Sequence, residues 1–222
     1  MSKATLNGTQ SKSIVIPELK LREIEVEVEG VSPFISHVFS EKARKQIRDK
    51  HSGKAKQGKH DIRNPHYEFL ESMHWLTDKP YNEPEEVTAE NYTGMLEGAQ
   101  FGISSLAFKN AFVETAKDVG MYKTSARKLL HVQHDFSPLS GEPVMHEDTV
   151  VVGNGAADLR YRAYFHDWTA VIRIEYNASL INEENILNLV RTAGYAVGVG
   201  DWRPEKNGQN GRWKLTDNIV SK

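Results

Sequence analysis

The 222-residue sequence contains no cysteine. Disulfides, cysteine-ligated metals and a cysteine nucleophile are all excluded, and a reducing cytoplasm is the expected location. No run of 18 apolar residues occurs, so no membrane-spanning helix is expected. The opening "MSKATLNGTQSKS" lacks the apolar centre of a secretory signal, and residues 1–17 read as a disordered arm. The sequence holds no G-x-S-x-G nucleophile elbow, no Walker A loop and no H-E-x-x-H zinc pair. "HVQH" (131–134) with Asp135, and "HED" (146–148), have a spacing that fits no strong zinc pattern. "GNGAAD" (153–158) is not followed by a helical pattern, so it is not read as a dinucleotide loop. Neither a cofactor nor a metal is expected.

Charge is nearly balanced, with 28 Lys and Arg against 30 Asp and Glu, but it is segregated. Residues 41–60 carry eight cations (Lys42, Arg44, Lys45, Arg48, Lys50, Lys54, Lys56 and Lys59) against Glu41 and Asp49. Residues 78–97 carry six acids against Lys79. A chain that separates its charge in this way can present a basic surface to phosphates, or pair its acidic segment with a neighbour's basic one.

"REIEVEVEG" (22–30) alternates Ile24, Val26 and Val28 with Glu23, Glu25, Glu27 and Glu29, the pattern of a half-buried strand that ends at Gly30. Ser40 caps a short helix, and the stretch around Gly53 and Gly58 reads as a mobile loop. A short amphipathic helix is predicted over 66–76. The clearest helix is 102–120, with Phe108, Ala111, Phe112, Thr115, Ala116 and Val119 on one face, Ser104 or Ser105 as cap and Gly120 closing it. Residues 159–177 read as a β-hairpin. Asn182 caps a second helix, with Ile186, Leu187, Val190 and Ala193 on one face and Gly194 at its end, and "GRWKL" forms a short last strand. In order, these elements are β–α–β–β–α–β, which gives an α+β, ferredoxin-like core with large insertions. A single domain over 18–222 is expected, with a basic insertion at about 41–64 and an acidic connection at about 77–99.

Three segments carry a family resemblance in matching order. "GVSPFISH" (30–37) resembles the glycine-x-x-proline-hydrophobic turn of the RAMP superfamily, the RRM-like subunits of CRISPR effector complexes. "FGISSLAFKNAFVETA" (101–116) is similar to the segment that opens that superfamily's first core helix. "VGVGDWRPEKNGQNGRW" (197–213) resembles its C-terminal glycine-rich signature. The pattern also resembles that of uncharacterised bacteriophage proteins, for which the setting would be the bacterial host cell. Gly102-Ile103 stands where the family often has Pro-Gly, Glu114 where it often has arginine, and the C-terminal glycines are spaced more widely, so the likeness is to a divergent RAMP-like protein.

The resemblance implies an RRM-like fold and a single-stranded RNA or DNA partner, with subunits assembling head-to-tail along the strand as homo-oligomers or filaments. The residues expected at the strand are the eight cations of 42–59, hairpin arginines Arg160 and Arg162, and Trp202, Arg203, Lys206 and Arg212 of the glycine loop, with Trp213 as a second stacking face. Arg173 is a further hairpin cation. The glutamates of strand one repel phosphate, so the strand runs along loops rather than over that face. No enzymatic chemistry is expected. His37, just after strand one, is the one catalytic candidate, where some RAMP-type endoribonucleases carry a general base. Two alternatives stand beside this: a metal-independent endoribonuclease, and a self-assembling structural or inhibitory protein whose basic arm grips another protein.

Overall fold

The computed structural model describes residues 18–38, 48, 51–52, 63–152 and 155–221. The expected arm over 1–17, the Ser40 cap, and Lys42, Arg44, Lys45, Lys50, Lys54, Lys56 and Lys59 lie outside these residues. Arg48 is exposed and helical, its carbonyl accepting from the Ser52 amide at 2.9 Å. The class is mixed α+β, and every strand pairing is antiparallel. Among the described residues, no helix is long and apolar enough to cross a membrane.

Strand β1 (Leu21–Gly30) buries Ile24, Val26 and Val28 and turns its glutamates outward, as the alternation predicts. It ends at Gly30, where only glycine fits, because the Trp168 indole lies 2.1 Å from where a β-carbon would be. Helix α1 (Pro65–Glu71) starts on Asn64, whose side chain accepts from the Tyr67 amide at 3.1 Å, with Pro65 in the first turn. Between them lies β2 (Phe34–Ser36), and after α1 comes β3 (His74–Trp75). The acidic connection makes short 3₁₀ turns at Pro84–Glu86 and Gly94–Leu96, burying Tyr81 and Val87 and exposing its carboxylates.

The predicted 102–120 helix divides in two. Phe101–Ser104 is strand β4, and α2 (Ser105–Ala116) follows at once. Phe108, Ala111, Phe112, Thr115 and Ala116 are buried as expected, but Val119 is exposed beyond the helix end. Gly120, at φ +79°, lets the Met121 amide return to the Ala116 carbonyl at 2.8 Å. Then come α3 (Lys123–Leu129), β5 (Leu130–Val132), β6 (Phe136–Ser140), β7 (Pro143–Val152), β8 (Ala156–Phe165) and β9 (Thr169–Asn177). Helix α4 (Glu183–Ala196) is capped by Asn182 as predicted, but it runs past Gly194. There the absent side chain admits the backbone of Trp213, at the start of β10 (Trp213–Ser221).

The large sheet runs β10-β1-β9-β6-β4-β3, with β5 also on β9, in line with β6. Ile24, Val26, Val28, Ala170, Ile172, Ile174 and Leu130 share the face that packs on the helices. A second sheet, β2-β8-β7, presents Phe34, Ala163 and Phe165 to the same core. Fully burying each such Phe, Ile or Val contributes about 1.5–3 kcal/mol.

The 159–177 hairpin is not formed. Its two strands exist, as β8 and β9, but they belong to different sheets, and the hairpin partner of β8 is β7. The chain changes sheets at 166–168. Trp168 is buried there, its indole donating to the Ser32 carbonyl at 2.9 Å while its own carbonyl accepts from the Gly30 amide at 2.8 Å. A side chain this large, anchored between the sheets, commits β8 and β9 to opposite neighbours.

Candidate nucleic-acid interface

The turn after β1 and the glycine loop before β10 are laced together by backbone. The Val31 amide donates to the Arg212 carbonyl (2.9 Å), the Gly211 amide to the Pro33 carbonyl (2.7 Å), the Asp201 amide to the Ile35 carbonyl (3.2 Å) and the Arg212 amide to Ser32 Oγ (3.0 Å). Gly200 (φ +77°) and Gly211 (φ +64°) make this possible. A β-carbon on the first would stand 2.5 Å from the Ile35 carbonyl, and on the second 1.7 Å from the Val199 carbonyl. Helix α2 meets the other side of the loop across a cavity of about 290 Å³ lined by Asn110, Glu114, Arg127, Val199 and Arg203. The three segments that carry the family resemblance are therefore neighbours in space.

The loop is fastened to the small sheet by charge. Arg162, on β8, is 2 % exposed. Its Nε donates to Asp148 Oδ2 at 2.9 Å, and its Nη1 to Asp201 Oδ2 at 2.5 Å. Nη2 lies 2.8 Å from the same Asp148 oxygen but outside hydrogen-bonding geometry. Tyr164 adds its hydroxyl to both Asp148 oxygens, at 3.0 and 3.2 Å. Burial first, and then the bond to Asp148, pushes the Tyr164 phenol up to about 12. A buried guanidinium is tolerable only when paired in this way, and here the pairing pins Asp201, in the loop, to β7 and β8.

His37 borders this cluster. Arg160 Nη1 stands 3.3 Å from His37 Nε2. A guanidinium only donates, so Nε2 accepts and the proton of the neutral ring sits on Nδ1. Burial holds the His37 pKa below its usual value; Asp201 raises it, while Arg160 and Arg162 lower it further. Its imidazole is therefore uncharged at neutral pH.

The expected contact residues have separate fates. Arg162 is interior and paired, and offers nothing to solvent. Trp213 is 2 % exposed, its indole donating to the Val190 carbonyl at 3.2 Å and its ring edge-on to Phe108. Arg203 is held by Glu205 (2.7 and 2.9 Å) and by the Gly200 carbonyl (3.1 Å). Arg212 lies over the Tyr195 ring at 5.1 Å. Lys206 is exposed, with Glu205 at 3.3 Å. Arg160 is partly exposed, with Asp158 at 3.7 Å. Trp202 is 51 % exposed and takes a left-handed conformation at φ +56°. Arg173 is on the large sheet, donating to Glu25 at 2.6 Å.

On the outer face of the large sheet the glutamates of β1 keep their own partners: Gln133 on Glu23, Arg173 on Glu25, Asn218 on Glu27 and Lys214 on Glu29. Among the described residues, no group of three or more His, Asp or Glu stands close enough to hold a metal ion. Sequence reading missed Asp148, Asp201 and Tyr164. The only signal was the alternation of Arg160, Arg162 and Tyr164, which puts all three on one face of β8. Comparison of the chain with protein-family models and with curated proteins finds no match.

Proposed function

We propose that the chain is a ferredoxin-like, RAMP-related protein that binds single-stranded RNA or DNA without enzymatic chemistry and assembles head-to-tail along the strand. The order β10-β1-β9-β5/β6, with α2 and α4 as crossovers, supports the ferredoxin-like reading: numbered within the core it is 4-1-3-2.

The observation that carries the function is the half-exposed Trp202, held in a left-handed backbone on a loop laced to the first turn. That conformation costs about 1–2 kcal/mol in an L-residue, and such strain concentrates at functional sites. A tryptophan held outward on a rigid loop is a stacking platform for an unpaired base. Lys206, on the same loop, and the partly exposed Arg160 of β8 add positive charge, and the cations of the 42–59 sequence are the further expected phosphate contacts. Arg162 and Trp213 are buried within the protein and form no part of the interface, whereas Arg203 and Arg212 are partly exposed and stay among its candidate cations. The carboxylates of the acidic connection are exposed, which suits pairing with a neighbour's basic stretch. The test is Lys54, Lys56 and Lys59 changed together to Ala, with affinity for a labelled 20-mer measured across salt concentration. The slope of log K against log salt flattens by about 0.7 for each phosphate that the variant no longer neutralises. An unchanged slope removes the basic stretch from the interface.

His37 carries a second reading, a metal-independent endoribonuclease, in which its neutral imidazole acts as general base once Arg160 has released the Nε2 lone pair. Cleavage of labelled RNA that disappears in His37→Ala would establish it. The absence of cleavage in both forms leaves the binding reading alone.

A further inference from the structure

The two sheets end in four strands: β10 and β3 on the large one, β2 and β7 on the small one. A terminal strand leaves every second backbone N–H and C=O without a ladder partner. Short length, a bulge, an inner proline or a lysine normally keeps such an edge from capturing another chain. Three of the four are protected in this way. β3 has two residues and β2 three. β10 loses register with β1 between Val26 and Val28, carries Lys214, and turns its Asn218 amide back to Thr216 Oγ1 at 3.2 Å. β7 has none of these devices. It runs ten residues in unbroken register with β8, from Pro143 opposite Phe165 to Val152 opposite Ala156. Its one proline is at the first position, and its sequence, PVMHEDTVVV, contains no lysine or arginine. Among the described residues no strand pairs with its outer edge.

The strand is also complementary to itself. A two-fold axis perpendicular to the sheet keeps each face with itself, so residues opposite one another across an antiparallel β7 pair are both odd or both even in number. With Glu147 on the axis, residues 143–151 of the two copies overlap. His146 then faces Asp148 of the second copy, and Asp148 faces its His146. Val144 faces Val150, Pro143 faces Val151 and Met145 faces Thr149, each pair occurring twice. Val144 is exposed and Val151 is 75 % exposed, so the pairing covers apolar surface that a single chain leaves in water. Moving the axis by one residue loses the match. On Asp148 it sets two aspartates together and His146 against Val150; on His146 it sets Asp148 against Val144. The exception in the favoured register is Glu147, which faces its own copy as a like charge.

We infer that β7 is a dimerisation edge: it pairs antiparallel with β7 of a second copy about Glu147, joining the two small sheets into one of six strands. The contact is isologous, each copy using the same patch. It is therefore distinct from the head-to-tail contact proposed above, and it does not rest on the nucleic-acid reading. A second copy, rather than an unrelated extended peptide, is the occupant because β7 matches charge to charge and valine to valine when turned end over end about Glu147.

The test uses the full-length chain, in which the absence of cysteine gives an introduced thiol a clean background. Sedimentation velocity over a range of protein concentration should show a monomer–dimer equilibrium in the wild type. Hydrogen exchange of the unmodified protein should slow in 143–151 as concentration rises, a readout free of folding effects. Glu147→Cys, at the position that meets itself, should form a disulfide-linked dimer under mild oxidation, whereas Thr149→Cys, which meets Met145, should not. Val151→Lys, at an exposed position, should weaken the dimer about fivefold or more, and Glu147→Gln should tighten it about threefold. Four results overturn the pairing: a wild-type chain that stays monomeric at the highest concentration, exchange in 143–151 indifferent to concentration, cross-linking no faster at 147 than at 149, or a dimer unmoved by Val151→Lys. Each leaves the nucleic-acid reading untouched.

Discussion

Replacing Arg162 by Met tests whether charge holds the glycine loop to the small sheet. The guanidinium is interior and makes three close approaches to Asp148 and Asp201. Breaking a buried ion pair by removing one partner costs about 3–5 kcal/mol, because the partner's charge is left desolvated. Here the lower end applies. Asp201 sits at the loop surface, where its carboxylate can regain water, and Asp148 keeps the Tyr164 hydroxyl. A loss of about 3 kcal/mol is expected, lowering the melting temperature by about 6–12 °C for a domain of this size. The loop is then held by its backbone bonds to the first turn alone, so limited proteolysis should cut within 199–210 well before the wild-type chain is cut. Chemical denaturation gives the stability and mass spectrometry the cleavage site. A variant as stable as wild type to within about 0.5 kcal/mol, with an uncut loop, would refute the reasoning, since a surface substitution does no more than that.

Other outcomes follow from the same geometry. Gly200→Ala combines a left-handed φ with a β-carbon 2.5 Å from the Ile35 carbonyl, and should cost at least about 1–2 kcal/mol by thermal melting. Trp202→Gly relaxes the left-handed strain, so stability should be equal or up to about 1 kcal/mol higher, while affinity for single-stranded oligonucleotides falls. Trp213→Ala should instead destabilise by about 3–5 kcal/mol, having emptied a core site against Phe108. His37 has a folded pKa below its unfolded value of 6.5, so the unfolded chain takes up its proton first; stability should fall as pH drops below about 6.5, and the fall should shrink in His37→Gln.

Some of this was legible in the sequence because local pattern and final environment agree. Strand β1 alternates and is buried on one side only, so its core face follows from its spelling. Helix α4 carries its own cap and its own apolar stripe. Pairing is another matter. Periodicity marked β8 and β9 as strands but contains nothing about which neighbour each takes, and it is buried Trp168, distant in sequence from Gly30 and Ser32, that sends them to different sheets. Strand β7 was obscure because Val144, His146 and Asp148 alternate with Met145, Glu147 and Thr149, so neither face reads as the core. The glycine loop shows the limit most sharply. Trp202 and Trp213 have similar glycine-rich flanks, yet one is half exposed and the other enclosed by α2 and α4. Arg160 and Arg162, two residues apart on one strand face, differ for the same kind of reason. Of the two carboxylates that pair with buried Arg162, Asp148 comes from β7 and Asp201 from the glycine loop, which only the fold brings across.

The most direct measurement is a fluorescence-anisotropy titration of a labelled single-stranded 20-mer with the full-length protein at rising salt. Saturable binding is expected, with log affinity falling linearly against log salt and a matched duplex binding less tightly. Saturation that is missing even at the lowest salt, or an affinity indifferent to salt, would contradict the account.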